Sequence, residues 1–250
     1  MGRFASTVEF YARLREPYLP KFFAAIAEKI QLRGHEHLLD VGCGPGLLAI
    51  GFAPFVGTVT ALDPEPAMIA AAQNTAAQAG AAVSLHLGKL EEFDSSEKYD
   101  VVVLGRSLHW LEREAALRVL GRIVSESGHI LTCGAFNGKS PLSPWVKPYE
   151  DVRRSWADDP EQKRYRIDER EWFAGSGFHY ASDVSVRGEQ DVTIDDLIGR
   201  ALSKSNTSPD VVAERRGEFE EQLREALRPF AAGGILHEQI LNRATIFSRP

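Results

Sequence analysis

Short apolar runs alternate with longer segments of helical periodicity along most of the chain. Seven runs have the length and composition of strands: 38–41, 59–62, 83–87, 99–104, 129–133, 183–187 and 239–247. Segments such as 68–79 and 112–123 carry apolar residues at helical spacing. This alternation predicts an α/β fold with a doubly wound, mostly parallel sheet of seven strands.

Both ends of this pattern carry further helices. Residues 1–36 precede the first strand and predict a helical N-terminal arm, in which Pro17 limits one segment and Pro20 opens another. From 136 to 180 the regular pattern breaks into turns and short helical pieces rich in proline and tryptophan. Residues 181–250 predict the last strands, a helix capped by Thr193, and one long amphipathic helix opened by Ser208 that runs to Phe230.

A glycine-rich loop follows the first strand and is the strongest functional signal. Gly42, Gly44 and Gly46 precede a helix, and such a loop brings backbone N–H groups close to a polar ligand. Asp40, at the end of the strand, suits a ligand that carries positive charge and would repel a diphosphate. Asp63 ends the second strand, where an acid can accept hydrogen bonds from both ribose hydroxyls.

These residues carry a resemblance to a known family. Leu39-Asp40-Val41-Gly42-Cys43-Gly44-Pro45-Gly46 followed by Leu62-Asp63 resembles the class I S-adenosylmethionine-dependent methyltransferases. The likeness is to the small-molecule branch that includes trans-aconitate and ubiquinone/menaquinone-type enzymes, and 193–205 is similar to a stretch of the trans-aconitate-like branch. The resemblance implies a Rossmann-like methyltransferase fold, S-adenosyl-L-methionine as cofactor, and a small-molecule acceptor methylated at O, N or C.

The resemblance also implies a domain plan. One methyltransferase domain would fill 1–250, with the arm at 1–36 folding over cofactor and substrate. The cofactor-binding core would be 37–135, and the insertion at 136–180 would form a substrate lid. Residues 181–250 would complete the sheet and add cap helices.

The resemblance further implies contacts to each part of the cofactor. Asp63 would hold the ribose, Asp40 and the glycine loop the methionine end, and residues 89–91 the adenine. Lys89 departs from the family, which often has an aspartate there. The backbone of Lys89 and Leu90 can still form hydrogen bonds with the edge of the adenine ring, and Glu91 can compensate for the missing aspartate. The full set of expected cofactor residues is Tyr11, Arg15, Asp40, Gly42, Cys43, Gly44, Gly46, Asp63, Pro64, Met68, Lys89, Leu90, Glu91 and Gly105.

The loop after the fourth strand should line the acceptor site, because ligands of open α/β sheets bind beyond the carboxyl ends of the strands. His109 is the candidate general base, since histidine titrates near neutral pH; a structural histidine packed with Trp110 is the alternative. The residues expected at the substrate are Tyr18, Arg106, Trp110 and Trp145.

Amino-acid composition indicates which kinds of partner and which cellular location the sequence favours. The 35 acids and 29 bases give a net charge of −6, which does not favour a nucleic-acid binder. Cys43 and Cys133 are the only cysteines, so we expect no disulfide framework, no metal site and a cytoplasmic protein. No apolar run reaches membrane-spanning length, and charged residues interrupt any signal-peptide core near the N-terminus. The oligomeric state is left open.

Two other functions remain open from the sequence. Residues 44–49 also match a GxGxxA dinucleotide fingerprint with Asp63 downstream, which indicates an NAD(P)-dependent oxidoreductase; Asp40 argues against it. A non-catalytic cofactor-binding or scaffold module is the second alternative. Lys89 favours that module, whereas the insertion at 136–180 argues for a substrate.

Overall fold

The computed structural model describes residues 14–137, 141–158 and 167–249. Its strands are β1 His37–Val41, β2 Thr58–Asp63, β3 Ser84–Leu87, β4 Tyr99–Gly105, β5 Val124–Asn137, β6 His179–Thr193 and β7 Ile235–Ser248. Its helices are α1 Pro20–Lys29, α2 Leu47–Phe52, α3 Pro66–Ala79, α4 Arg113–Ile123, α5 Val146–Ser155, α6 Glu169–Phe173, α7 Ile194–Leu202, α8 Pro209–Val212 and α9 Arg216–Leu227.

The strands form one seven-stranded sheet in the order β3-β2-β1-β4-β5-β7-β6. Parallel pairing joins β1 to β2 and β4, β2 to β3, and β4 to β5. This arrangement confirms the predicted doubly wound, mostly parallel sheet. The strand order reverses between β1 and β4, so the loops after these two strands flank the position where such sheets bind ligands.

The central strands read as continuous apolar runs because helices cover both of their faces. Leu38, Leu39 and Val41 of β1 and Val101 to Val103 of β4 are all buried. The helix α1 packs closely on α2, since a Cβ at Gly51 would stand 2.0 Å from the Phe23 ring. Only glycine at position 51 permits this approach.

The chain divides into two compact units. The core unit contains the described residues of 18–134, 164–186 and 242–250, and the second unit those of 1–17, 135–163 and 187–241. The predicted insertion at 136–180 therefore contributes to both units. The domain boundaries set out from the sequence stay a prediction.

The second unit has an apolar centre and a buried polar network. Trp145, Tyr149, Phe219, Leu223 and Leu227 belong to one buried apolar cluster. Beside it, Arg200 forms an ion pair with Glu238, and both side chains are almost fully buried. Arg200 also donates a hydrogen bond from Nε to the carbonyl of Leu14 at 2.7 Å. The pair is compensated by these contacts, as a buried charge requires.

Several elements differ in extent from the sequence prediction. The fifth strand extends beyond the predicted 129–133, to Val124–Asn137, and the seventh beyond 239–247, to Ile235–Ser248. The long helix expected after Ser208 is interrupted, because Ala213 has φ 44° and ψ −128° and the chain makes a 3₁₀ turn over Ala213–Arg215 before α9 begins. The sixth strand extends well beyond the predicted 183–187, to His179–Thr193. Its flanking residues are polar, so apolar content alone did not mark them as strand.

We expect Arg200→Ala to lower the free energy of unfolding by about 3–5 kcal/mol, because it leaves the Glu238 carboxylate buried without its cation. Urea denaturation measures the change. Arg215→Ala is the matched control: Arg215 pairs with Glu218 at 2.9 Å on the surface, and its loss should cost less than about 1 kcal/mol. Equal effects of the two substitutions would contradict the assignment of the Arg200 pair as a structural element.

Candidate functional site

The glycine loop connects β1 to α2 and is fixed to the end of β2. Gly42, Gly44 and Gly46 have φ values of 65°, 54° and 83°, in the left-handed region that favours glycine. The N–H groups of Gly42 and Cys43 both donate to the carbonyl of Leu62, at 2.8 and 3.0 Å. These contacts fix the conformation of the loop over residues 42–46, called the cradle below, at the carboxyl edge of the sheet.

Ser107, which follows β4, closes one side of this loop. Its hydroxyl donates to the carbonyl of Val41 at 2.7 Å, and a Cβ on Gly42 would stand 2.6 Å from the Ser107 Cβ. Sequence reasoning did not single out Ser107. The signal available was its place in the loop after the strand adjacent to β1.

Asp40 lies buried behind the loop with an incomplete set of hydrogen bonds. Its Oδ2 accepts from the N–H of Ala49, in the first turn of α2, at 3.0 Å. Its Oδ1 is buried and has no hydrogen-bond partner among the described residues. Burial raises the pKa of Asp40 to about 7, and the nearby Asp63 carboxylate adds to the rise. A buried acceptor of this kind suits a donor that carries positive charge.

Asp63 ends β2 and faces the same loop. One of its carboxylate oxygens accepts from the N–H of Gly44 and the other from the N–H of Glu65, both at 2.9 Å. Burial raises the pKa of Asp63, and these two hydrogen bonds oppose that rise. Since a carboxylate has about four acceptor positions, Asp63 retains capacity for a ligand's hydroxyls.

The corner after β3 carries the residues expected at the adenine. Lys89 is exposed, whereas Leu90 is buried at the start of a 3₁₀ turn. The Glu91 carboxylate accepts a hydrogen bond from the N–H of Glu112 at 2.8 Å. Met68 is buried in α3, and Pro64 is exposed just before it. Their cofactor contacts stay predictions.

The loop after β4 combines close packing with a strained backbone. Gly105 lies against α2, because a Cβ there would be 2.6 Å from Leu48 Cδ1. Arg106 has φ 59°, an unusual conformation for a residue with a side chain. Its guanidinium lies over the Tyr18 ring, 5.3 Å from the centroid, and the Tyr18 hydroxyl donates to the carbonyl of Cys133 at 3.2 Å.

The remaining predicted site residues lie in different surroundings. The rings of His109 and Trp110 contact each other with centroids 4.9 Å apart, and Trp110 is 41% exposed. Cys43 is buried in the glycine loop, and burial raises the pKa of its thiol. These three residues belong to the core unit.

Two other predicted residues, Trp145 and Arg15, belong to the second unit. Trp145 is buried in the second unit, where its Nε1 donates to the carbonyl of His237 at 2.8 Å. Arg15, also in the second unit, donates from Nη2 to the carbonyl of Ser203 at 2.9 Å. Tyr11 lies outside the described residues. Their functional roles stay predictions.

Comparison with known proteins agrees with this geometry. Residues 38–128 match a family described as a methyltransferase domain. An uncharacterized methyltransferase of Schizosaccharomyces pombe is 32% identical over 137 residues, which are 50% of each chain. A ubiquinone biosynthesis O-methyltransferase of Azorhizobium caulinodans is 36% identical over 93 residues, which are 36% of this chain and 37% of that one. The chain thus spans half or less of the length of these relatives.

A solved structure reproduces the fold over the whole chain. The methyltransferase of Geobacter sulfurreducens, determined in complex with S-adenosyl-L-homocysteine, superposes with a TM-score of 0.59 at 18% identity. The match covers 100% of this chain and 99% of that one. At this identity the likeness shows the fold alone.

The glycine loop, the acids at the ends of β1 and β2, and the strand order resemble those of a class I methyltransferase domain, and the family match covers residues 38–128. The matched segment also resembles the ubiquinone-type O-methyltransferases.

None of the helices among the described residues is long and apolar enough to span a membrane. In the same ranges, no group of three or more His, Cys, Asp or Glu side chains is placed to hold a metal ion.

We expect Gly42→Ala to lower the free energy of unfolding by about 2–4 kcal/mol, because the added Cβ meets Ser107 and the φ value is positive. Gly80→Ala is the matched control, since Gly80 has φ 64° and open space around its Cβ position. The control should cost only about 1 kcal/mol. Thermal denaturation of both variants measures the difference, and equal losses would show that Ser107 does not restrict the loop.

Proposed function

We propose that this protein is an S-adenosyl-L-methionine-dependent methyltransferase that acts on a small-molecule acceptor. The observation that carries the proposal is the buried Oδ1 of Asp40, which has no protein donor among the described residues and lies behind the glycine loop. The family match over 38–128 and the S-adenosyl-L-homocysteine complex of the Geobacter neighbour support the same cofactor.

The residues present fit this cofactor at two of its three parts. Asp40 would accept a hydrogen bond from the positively charged amino group of the methionine end, whereas the N–H groups of Gly42, Cys43 and Gly44 already donate to Leu62 and Asp63. Asp63 would accept hydrogen bonds from the ribose hydroxyls. The adenine is the part with the poorest fit. Lys89 can supply only backbone hydrogen bonds there, and the Glu91 carboxylate already accepts a hydrogen bond from the N–H of Glu112.

The bound cofactor supplies an electrophilic methyl group on a positively charged sulfur. The chain's own residues orient it: the glycine loop and the two acids fix the methionine end and the ribose, and alignment alone can contribute several kcal/mol. His109, next to the loop after β4, would take a proton from an acceptor that needs deprotonation. The face of Trp110 favours a nearby cation, whereas the Arg106 guanidinium already lies over the Tyr18 ring.

We further propose that the methyl acceptor is a small organic molecule. The ubiquinone-type relatives support a small organic acceptor, and the net charge of −6 does not favour nucleic acid. We also propose a cytoplasmic location, because both cysteines are free and buried.

We expect calorimetric titration to show micromolar binding of S-adenosyl-L-homocysteine and no binding of NADH. Asp63→Ala should weaken the first interaction at least about tenfold, because it removes a charged acceptor from the ribose. Asp94→Ala, which alters a surface pair with Arg122, is the control and should leave the affinity unchanged. Binding of NADH instead would favour the oxidoreductase alternative, and binding of neither ligand would refute the proposal.

The affinity for S-adenosyl-L-homocysteine should rise with pH through the range near 7. The folded pKa of Asp40 is about 7, above its ordinary value, so this carboxyl is protonated below pH 6 and must ionise to bind a cationic amino group. The affinity should therefore increase by up to about tenfold between pH 6 and 8. Asp40→Asn should flatten this dependence. A wild-type affinity that is constant over the range would contradict the role of Asp40.

The same pKa has a consequence for stability in the absence of ligand. Because the folded pKa of Asp40 is raised, its protonated form contributes stability that is lost as the pH rises through about 7. Unfolding measured on the ligand-free protein separates this effect from binding.

A further inference from the structure

The strand β6 forms one edge of the sheet and is unusually long for an edge. It runs for 15 residues, His179–Thr193, with β7 on one side and no described strand on the other. An edge strand presents backbone N–H and C=O groups that can pair with another chain. The strand contains no proline, which is one of the usual means of blocking such pairing.

The two faces of β6 differ in exposure. The even-numbered residues from 182 to 190 are partly buried, and they include Val184 and Val186, which pack on the core. The odd-numbered residues are exposed: His179, Ala181, Asp183, Ser185, Arg187, Glu189 and Asp191. A second strand that preserves both faces must place odd residues opposite odd residues.

We propose that a second copy of this chain pairs with β6 in antiparallel fashion, with the two-fold axis at Ser185. In this register Asp183 of each copy lies opposite Arg187 of the other. His179 likewise lies opposite Asp191, and Val184 opposite Val186 on the core face. The two-fold symmetry produces every pair twice, as a self-complementary interface requires.

The charge pattern selects this register over its neighbours. If the axis lay one residue later, Asp183 would face Glu189; two residues later, it would face Asp191. Like charges directly opposite each other destabilise a strand pair. With the axis one residue earlier, neither Asp183 nor Arg187 faces a charged residue. Only the register centred on Ser185 places Asp183 opposite an arginine; a register centred on Gly188 pairs Arg187 with Glu189 instead and leaves Asp183 opposite Thr193.

The Asp183 carboxylate is held in place before any second copy arrives. It accepts a hydrogen bond from the Tyr180 hydroxyl at 2.9 Å and lies 3.6 Å from Arg170 and 3.5 Å from Arg243. The Thr245 side chain also forms a hydrogen bond with this carboxylate, so a guanidinium from the second copy would exchange with one of these four groups. At the far end of the strand, the His237 ring lies 3.2 Å from Asp191 and 3.4 Å from Glu189, and these two carboxylates raise the pKa of His237.

Charge reversal tests the interface in solution. Sedimentation velocity of the full chain between about 1 and 100 µM should show a concentration-dependent dimer. Arg187→Glu and Asp183→Arg should each weaken dimerisation at least about tenfold, because each places like charges together twice. An equimolar mixture of the two variants should dimerise again, since every mixed pair is then opposite in charge. Arg118→Glu, an exposed reversal on α4, is the control and should behave as wild type.

A cysteine at the axis tests the register itself. Ser185→Cys places two thiols opposite each other, so mild oxidation should yield a covalent dimer. Ala181→Cys, on the same face of the strand, places the thiols far apart and should give none. Circular dichroism confirms that each variant is folded. A monomeric wild type over the whole range, a mixture that stays monomeric, or cross-linking at 181 instead of 185 would each overturn the proposal.

Discussion

The buried carboxylate of Asp40 is the constraint on which the site depends. It is fixed by one hydrogen bond from the first turn of α2, and that bond joins the end of β1 to the helix across the glycine loop. The loop can follow this short path only because three of its residues adopt left-handed conformations. The chain accepts a carboxylate in its interior with one oxygen left without a hydrogen-bond partner among the described residues.

The neighbouring strands complete this arrangement from both sides. From β2, Leu62 and Asp63 receive the N–H groups of the loop, and from the loop after β4, Ser107 reaches the carbonyl of Val41. None of these contacts is local in sequence. They exist because β1 lies between β2 and β4, so the sheet order itself determines the shape of the cradle.

Sequence patterns predicted the elements that depend on local chemistry and failed where distant contacts decide. The doubly wound, mostly parallel sheet and the likeness to a methyltransferase domain followed from apolar runs and the glycine loop, because period and glycine spacing are local signals. Ser107 was missed because its importance arises from contact with Gly42, 65 positions away. The break at Ala213 was missed because no glycine or proline marks it. The burial of Trp145 and Arg200 likewise depends on partners far along the chain.

The left-handed backbone of Arg106 has a consequence for how this protein can evolve. A glycine at that position would adopt φ 59° without strain, so the turn alone does not require arginine. The left-handed backbone of Arg106 lowers the folding stability by on the order of 1 kcal/mol, and the arginine places its guanidinium above Tyr18. At position 106 stability and side-chain chemistry therefore oppose each other, because a glycine that relieves the backbone strain would remove the cation from the Tyr18 ring.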